Sequence, residues 1–236
     1  MTTIFWAGDS TVQTNSILTY PQTGIGQVFD RYVKRDEVRI ENHARNGRST
    51  KSFLDEGLLM PIYDRMTRGD FLFVQFGHND EKQDDPARYA APFGEYSENL
   101  ERFVNAARNK GAYPVLITPL TRRLWRDPNA PFRHDQHAQA VRETAARLKA
   151  ALVDLCRMSE ELVDAIPEEE SRSYYMNLPR GVYPAFPEGL CDNTHLSPKG
   201  ALAFGGLIAR SLHALGGEYA ALLFEGYDQW RGEGMR

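Results

Sequence analysis

Cysteine is scarce: Cys156 and Cys191 are the only two in 236 residues, and 35 positions separate them. That pair has no ligand spacing and cannot staple a small scaffold, so we expect no disulfide framework, no zinc site and two free thiols of a reducing compartment. Long hydrophobic runs are missing too. No stretch approaches the roughly 20 apolar residues of a membrane span, so we expect no membrane partner. Positive charge is not in excess: a net charge of −4 and a pI near 5.9 give no general attraction to nucleic acid. Internal repeats, low-complexity tracts and linkers are also absent, and we read residues 1–236 as one domain. Met1-Thr2-Thr3 lacks a basic n-region, and the apolar stretch after it is short. The expectation is therefore a cytoplasmic protein, with a trimmed secreted form as the alternative.

What is present is alternation. Short β-type runs recur at Thr3 to Ala7, Val38 to Asn42, Phe71 to Phe76, Pro114 to Thr118 and Ala151 to Leu155. Between them, Glu95 to Lys110 places Leu100, Phe103, Val104 and Ala107 on one helical stripe, and Asp135 to Ala150 does the same with Ala138, Val141, Ala145 and Leu148. Strands alternating with helices of this length predict βαβ units and a parallel sheet covered on both faces. Ser197-Pro198 predicts the start of a last helix, serine as N-cap and proline at the first helical position. Ser171 to Gly189 reads as a long irregular segment and a candidate cleft wall.

Chemistry is suggested where these runs stop. Gly8-Asp9-Ser10-Thr11 ends the first strand, the setting in which a serine hydroxyl is lifted to the rim of a sheet, and a helix starting there would aim free N–H groups at it. Near the other end, Asp192-Asn193-Thr194-His195 supplies a carboxylate and an imidazole three residues apart, able to face Ser10 from one loop or helical turn. Each motif alone is also an ordinary polar turn. Two further blocks follow predicted strands: Asn42-His43-Ala44-Arg45-Asn46-Gly47-Arg48-Ser49-Thr50 and Gly77-His78-Asn79-Asp80. In open α/β sheets the carboxyl ends of strands line the binding crevice, so these groups should converge. The Gly47 N–H and the Asn79 side-chain amide suit an oxyanion.

On these four blocks the chain resembles the GDSL, or SGNH, hydrolase superfamily over nearly its whole length. Within it, the chain is most similar to the rhamnogalacturonan acetylesterase group, which has Thr rather than Leu after the serine. Thr118-Pro119-Leu120-Thr121-Arg122-Arg123 and the stretch from Asp192 to Ala201 agree. The resemblance implies a flavodoxin-like three-layer α/β/α sandwich with a five-stranded parallel sheet. It implies Ser10 as nucleophile, His195 as base, Asp192 as its partner and an oxyanion hole of Ser10, Gly47 and Asn79, with no metal or cofactor. The substrate it implies is an acetylated pectic oligosaccharide or polysaccharide. The alternatives are an esterase, lipase or thioesterase acting on another acetylated sugar or short-chain acyl ester, a metal-dependent phosphoesterase using Asp9, Asn79, Asp80 and the histidines, and a sugar-binding module on an inactivated scaffold.

Further residues have weaker claims. Arg48, Arg122, Arg123 and Arg126 could meet galacturonate carboxylates, since a guanidinium matches a carboxylate in bidentate fashion. Trp125, Tyr174, Tyr175, Tyr183 and Phe186 could stack on sugar rings or pack the loops. Asp9 reads as a turn former. His134 and His137, with Asp135, form a possible metal cluster or a solvated helix start. His78 is positioned to order its loop, and Cys191 reads as packing.

Overall fold

A computed structural model describes residues 1–124 and 134–227. Five parallel strands form the sheet: β1 (Thr2–Gly8), β2 (Val38–Asn42), β3 (Phe71–Gln75), β4 (Tyr113–Ile117) and β5 (Ala151–Val153). Their order is β2-β1-β3-β4-β5, the flavodoxin-like arrangement, and each register is in step, with Trp6 opposite Asn42 and Phe73. Alternation of side chains splits the core into two. Ile4, Trp6, Phe71 and Phe73 face one side, while Phe5, Ala7, Leu72 and Val74 face the other. Both sets are buried, which explains why β1 and β3 read as continuous apolar runs.

Helices cover each face. The Trp6 side packs against α1 (Ile25–Val28), α6 (Leu155–Ala165) and α8 (Pro198–Leu215). The Phe5 side packs against α2 (Thr50–Asp55), α3 (Leu59–Arg65), α4 (Ser97–Asn109) and α5 (Asp135–Leu148). Two short helices, α7 (Glu168–Arg172) and α9 (Gly217–Ala221), complete the described residues. Trp6 meets Phe29 and Phe73 edge-on at 5.4 and 5.0 Å, an arrangement favoured by the ring quadrupoles. Serine caps set the ends that matter for the site: Ser49 opens α2 in a reciprocal capping box with Ser52, and Ser197 opens α8 ahead of Pro198.

Two expectations need correction. No helix starts at Ser10, because the Asp9 carboxylate takes the Thr11 N–H and hydroxyl at 2.9 and 2.8 Å and holds a tight turn instead. Ser171 to Gly189 is not all irregular: it contains the end of α7 and strand β6 (Tyr175–Leu178), which pairs antiparallel with β7 (Leu190–Leu196). A four-residue strand is too short to show alternation, so the hairpin left no periodic trace. Among the described residues no helix is long and apolar enough to cross a membrane.

Candidate active site

The strand order reverses at β1 and β3, and beyond their carboxyl ends the four blocks converge. Ser10 follows β1, Gly47 lies on the loop after β2, and Asn79 lies on the loop after β3. Asp192 and His195 arrive from β7, on a bulge rather than on a plain loop or helical turn. Between the pairs Asn177↔Cys191 and Tyr175↔Leu196, β7 has more residues than β6 can match, and the surplus is pushed out toward Ser10. The Asn177 side chain steadies this bulge by donating to the Asp192 carbonyl at 3.2 Å and to Asn193 Oδ1 at 3.1 Å.

His195 Nε2 stands 3.0 Å from Ser10 Oγ, and its Nδ1 stands 2.7 Å from Asp192 Oδ2. The other Asp192 oxygen accepts the Thr194 and His195 N–H groups at 2.8 and 3.0 Å. Partial burial raises the Asp192 pKa, but these hydrogen bonds outweigh it and hold the carboxyl at about 2. An ionised acceptor at Oδ2 fixes the proton on Nδ1 and leaves Nε2 able to take one from Ser10.

Three N–H donors lie on the loops at this end of the sheet. The Ser10 and Gly47 N–H groups make no hydrogen bond among the described residues, and Gly47 adopts φ 75°, a conformation that favours glycine. The Asn79 amide is almost fully buried, donates one hydrogen to the Arg48 carbonyl at 3.0 Å and accepts from Arg88 Nη1 at 3.3 Å. One Asn79 N–H is left over. A tetrahedral oxyanion is the kind of charge such converging donors can hold.

Behind the nucleophile runs a buried polar chain. Asp9 Oδ2 is 3.2 Å from His78 Nδ1, the His78 and His134 rings meet edge-on at 4.4 Å, and His134 Nδ1 is 2.6 Å from Glu81 Oε2. Glu81 Oε1 accepts from Arg122 at 2.6 Å, and Arg122 also donates to the Thr194 hydroxyl at 2.7 Å. Arg122 therefore ties the Asn79 loop to the Asp192–His195 bulge. Burial pushes His134 down to about 4 and Asp80 up to about 8, so both are neutral at pH 7. Asp80 Oδ1 is taken by the Thr50 N–H and hydroxyl, while its Oδ2 has no hydrogen-bond partner among the described residues. His137 Nε2 is committed to the Ala90 carbonyl at 3.1 Å, and the described residues hold no cluster of three or more His, Cys, Asp or Glu able to bind a metal.

The residues expected to meet substrate are placed differently. Arg48 pairs with Glu56 at 2.8 Å, and Arg122 is engaged as above. Arg123 is buried against Ser171 and Glu168. Tyr175 is core, its hydroxyl donating to the Thr121 carbonyl, and Tyr174 packs on Phe204. Tyr183 is partly exposed beside Tyr20. Trp125 and Arg126 lie outside the described residues. Unforeseen from the sequence were Arg88, Glu81 and Lys82, which with Tyr89, Arg122 and His134 line a cavity of about 1050 Å³. Arg88 bonds Asn79, so the cavity adjoins the Asn79 amide. Asp85 and Arg88 sit at the spacing of any exposed turn pair, which is why nothing in the sequence singled Arg88 out.

Comparison with known proteins shows what the chain is similar to. Residues 7–203 match the GDSL-like lipase/acylhydrolase family. The rhamnogalacturonan acetylesterase RhgT of Bacillus subtilis (strain 168) is 37% identical over 215 residues, 90% of each chain. The probable rhamnogalacturonan acetylesterase YesY of the same strain is also 37% identical over 215 residues, covering 90% of this chain and 93% of its own. Among solved structures, the B. subtilis YxiM protein aligns with a TM-score of 0.77 at 25% identity over 91% of this chain, which spans 56% of that one. Axe2, an acetylxylan esterase from Geobacillus stearothermophilus, aligns at 0.65 over 95% of each chain, but at 15% identity it is a likeness of fold alone.

Proposed function

The chain belongs to the GDSL-like lipase/acylhydrolase family, and from that membership we propose that it is a serine esterase removing acetyl groups from rhamnogalacturonan or its oligosaccharides. The observation that carries the chemistry is the continuous line from Asp192 through His195 to Ser10, at 2.7 and 3.0 Å. The substrate rests on the two rhamnogalacturonan relatives and on the fit of nearly the whole of both chains.

In this reaction Ser10 Oγ attacks the acetyl carbonyl carbon while its proton passes to His195 Nε2. The carbonyl oxygen becomes an anion held by the Ser10 and Gly47 N–H groups and the free Asn79 N–H. Collapse breaks the bond to the sugar oxygen, which takes the proton from His195 and leaves as a hydroxyl. Acetyl-Ser10 remains. Water, deprotonated by His195, then attacks the same carbon, and the second collapse returns that proton to Ser10 and releases acetic acid, which loses its own proton to solvent as acetate. Asp192 stays ionised throughout and holds the imidazole in one tautomer.

Mass spectrometry after treatment with a serine-directed organophosphonate tests the mechanism. A single adduct on Ser10, abolished by His195→Ala, is expected; an adduct elsewhere, or none, overturns it. Turnover on acetylated rhamnogalacturonan oligosaccharides should exceed turnover on acetylated xylo-oligosaccharides and simple acetyl esters. Equal rates on all three would remove the pectic assignment and leave a general acetylesterase.

A further inference from the structure

The side-chain amide of asparagine has nearly the same shape after a half-turn, yet the two orientations present opposite groups. At Asn79 the difference is decisive. With Nδ2 toward the reacting centre the amide donates to the oxyanion, whereas Oδ1 in that place would repel it. Two neighbours read the orientation. The Arg48 carbonyl can only accept, and it takes a hydrogen from Nδ2 at 3.0 Å. The Arg88 guanidinium can only donate, and its Nη1 meets Oδ1 at 3.3 Å. A flipped amide would oppose oxygen to oxygen at one contact and N–H to N–H at the other.

Arg88 is itself held. Asp85 Oδ2 accepts from Arg88 Nε at 2.6 Å and lies 2.5 Å from Nη2, while the Asp85 carbonyl accepts the backbone N–H of Arg88 at 2.9 Å. That grip leaves Nη1 to point at Asn79. The same nitrogen would be 3.9 Å from a Cβ built on Gly47, so Arg88 stands where two oxyanion donors meet.

We propose that Arg88 is a positioning residue of the oxyanion hole, with Asp85 as its anchor, locking the Asn79 amide so that its N–H faces the developing charge. This rests on the oxyanion role given to Asn79 above. It acts through Asn79 rather than on the substrate, so its effect belongs to the rate of acyl transfer and not to the binding of the ester.

Steady-state kinetics on a simple acetyl ester, in a double-mutant cycle, supply the test. Asn79→Ala alone should lower kcat by about a hundredfold or more. Arg88→Met should lower kcat about tenfold with KM unchanged, because an unlocked amide spends part of its time flipped. Added to Asn79→Ala, Arg88→Met should cost nothing further. Equal losses from Arg88→Met in both backgrounds, or a rise in KM with kcat intact, overturn the proposal. Asp85→Asn, which keeps Arg88 but loosens its anchor, should give a smaller kcat loss that also vanishes beside Asn79→Ala, and the same cycle can be run with it if Arg88→Met fails to fold. No kcat loss in Asn79→Ala would remove the oxyanion assignment itself. That outcome is separate from an additive cycle.

Discussion

In the proposed mechanism Ser10 is an ordinary alcohol until His195 and Asp192 are placed behind it, so the three act as a unit and should not contribute additively. Ser10→Ala or His195→Ala should lower kcat by about 10⁴ or more, measured on any acetyl ester the wild type accepts. Asp192 is held at about 2, below the usual carboxylate value of 3.8, so its charge is present above the ordinary range and is lost only as pH falls through 2. Above about pH 4 the Asp192 carboxylate should therefore add no step of its own to the pH profile of log kcat/KM. A step that Asp192→Asn removes in that range would show that the carboxylate titrates there. At this scale the sequence was legible where residue type and strand end coincide, as for the placing of Ser10, Gly47 and Asn79 beyond β1, β2 and β3, but not for the bulge that carries His195. It was silent where the role depends on which neighbour a guanidinium chooses. Arg122 reads from sequence as a substrate contact, and its engagement with Glu81 and Thr194 is announced by no motif.

Among the elements, the β6–β7 hairpin and α8 bring Asp192 and His195 to Ser10, and Ser197 fixes where one stops and the other starts. Its hydroxyl accepts the Gly200 N–H at 3.2 Å and donates to the Ser173 carbonyl at 2.6 Å. Ser197→Ala should destabilise the protein by roughly 1 kcal/mol, read as a lower denaturant midpoint with an unchanged slope. Gly200→Ala should cost more. A Cβ there would lie 1.8 Å from the Tyr174 carbonyl oxygen, so α8 must move away from the hairpin, and activity should fall with stability. If Gly200→Ala kept both, α8 would not be set by this contact. Strands β1, β3 and β4 were readable because burial on both faces makes them nearly continuously apolar, β2 because Val38 and Ile40 alternate with Arg39 and Glu41, and α8 because serine and proline mark its start. The bulge in β7 was not: it exists only relative to β6, and pairing between strands is written in no single segment.

For the whole molecule, two buried groups bend stability in opposite directions with pH. His134, held down to about 4 against an ordinary 6.5, resists protonation in the folded state, so stability falls as pH drops from about 6.5 toward 4. Asp80, pushed up to about 8 from 3.8, resists ionisation, so stability falls as pH rises between those values. From about pH 6.5 to 8 only the Asp80 effect remains, a loss on the order of 2 kcal/mol at about 1.4 kcal/mol per proton and pH unit. Denaturation midpoints should decline over that window, and Asp80→Asn, which keeps the Thr50 bonds at Oδ1, should flatten the decline. An equal slope in the variant would assign the effect elsewhere. The Ser10–His195 contact joins positions 185 apart in sequence, so the nucleophile is activated only when the first strand and the last hairpin are docked together. Reactivity toward a phosphonate is then a census of native molecules: in a sample partly opened by heat or denaturant, the labelled fraction should count the chains whose two ends are still joined.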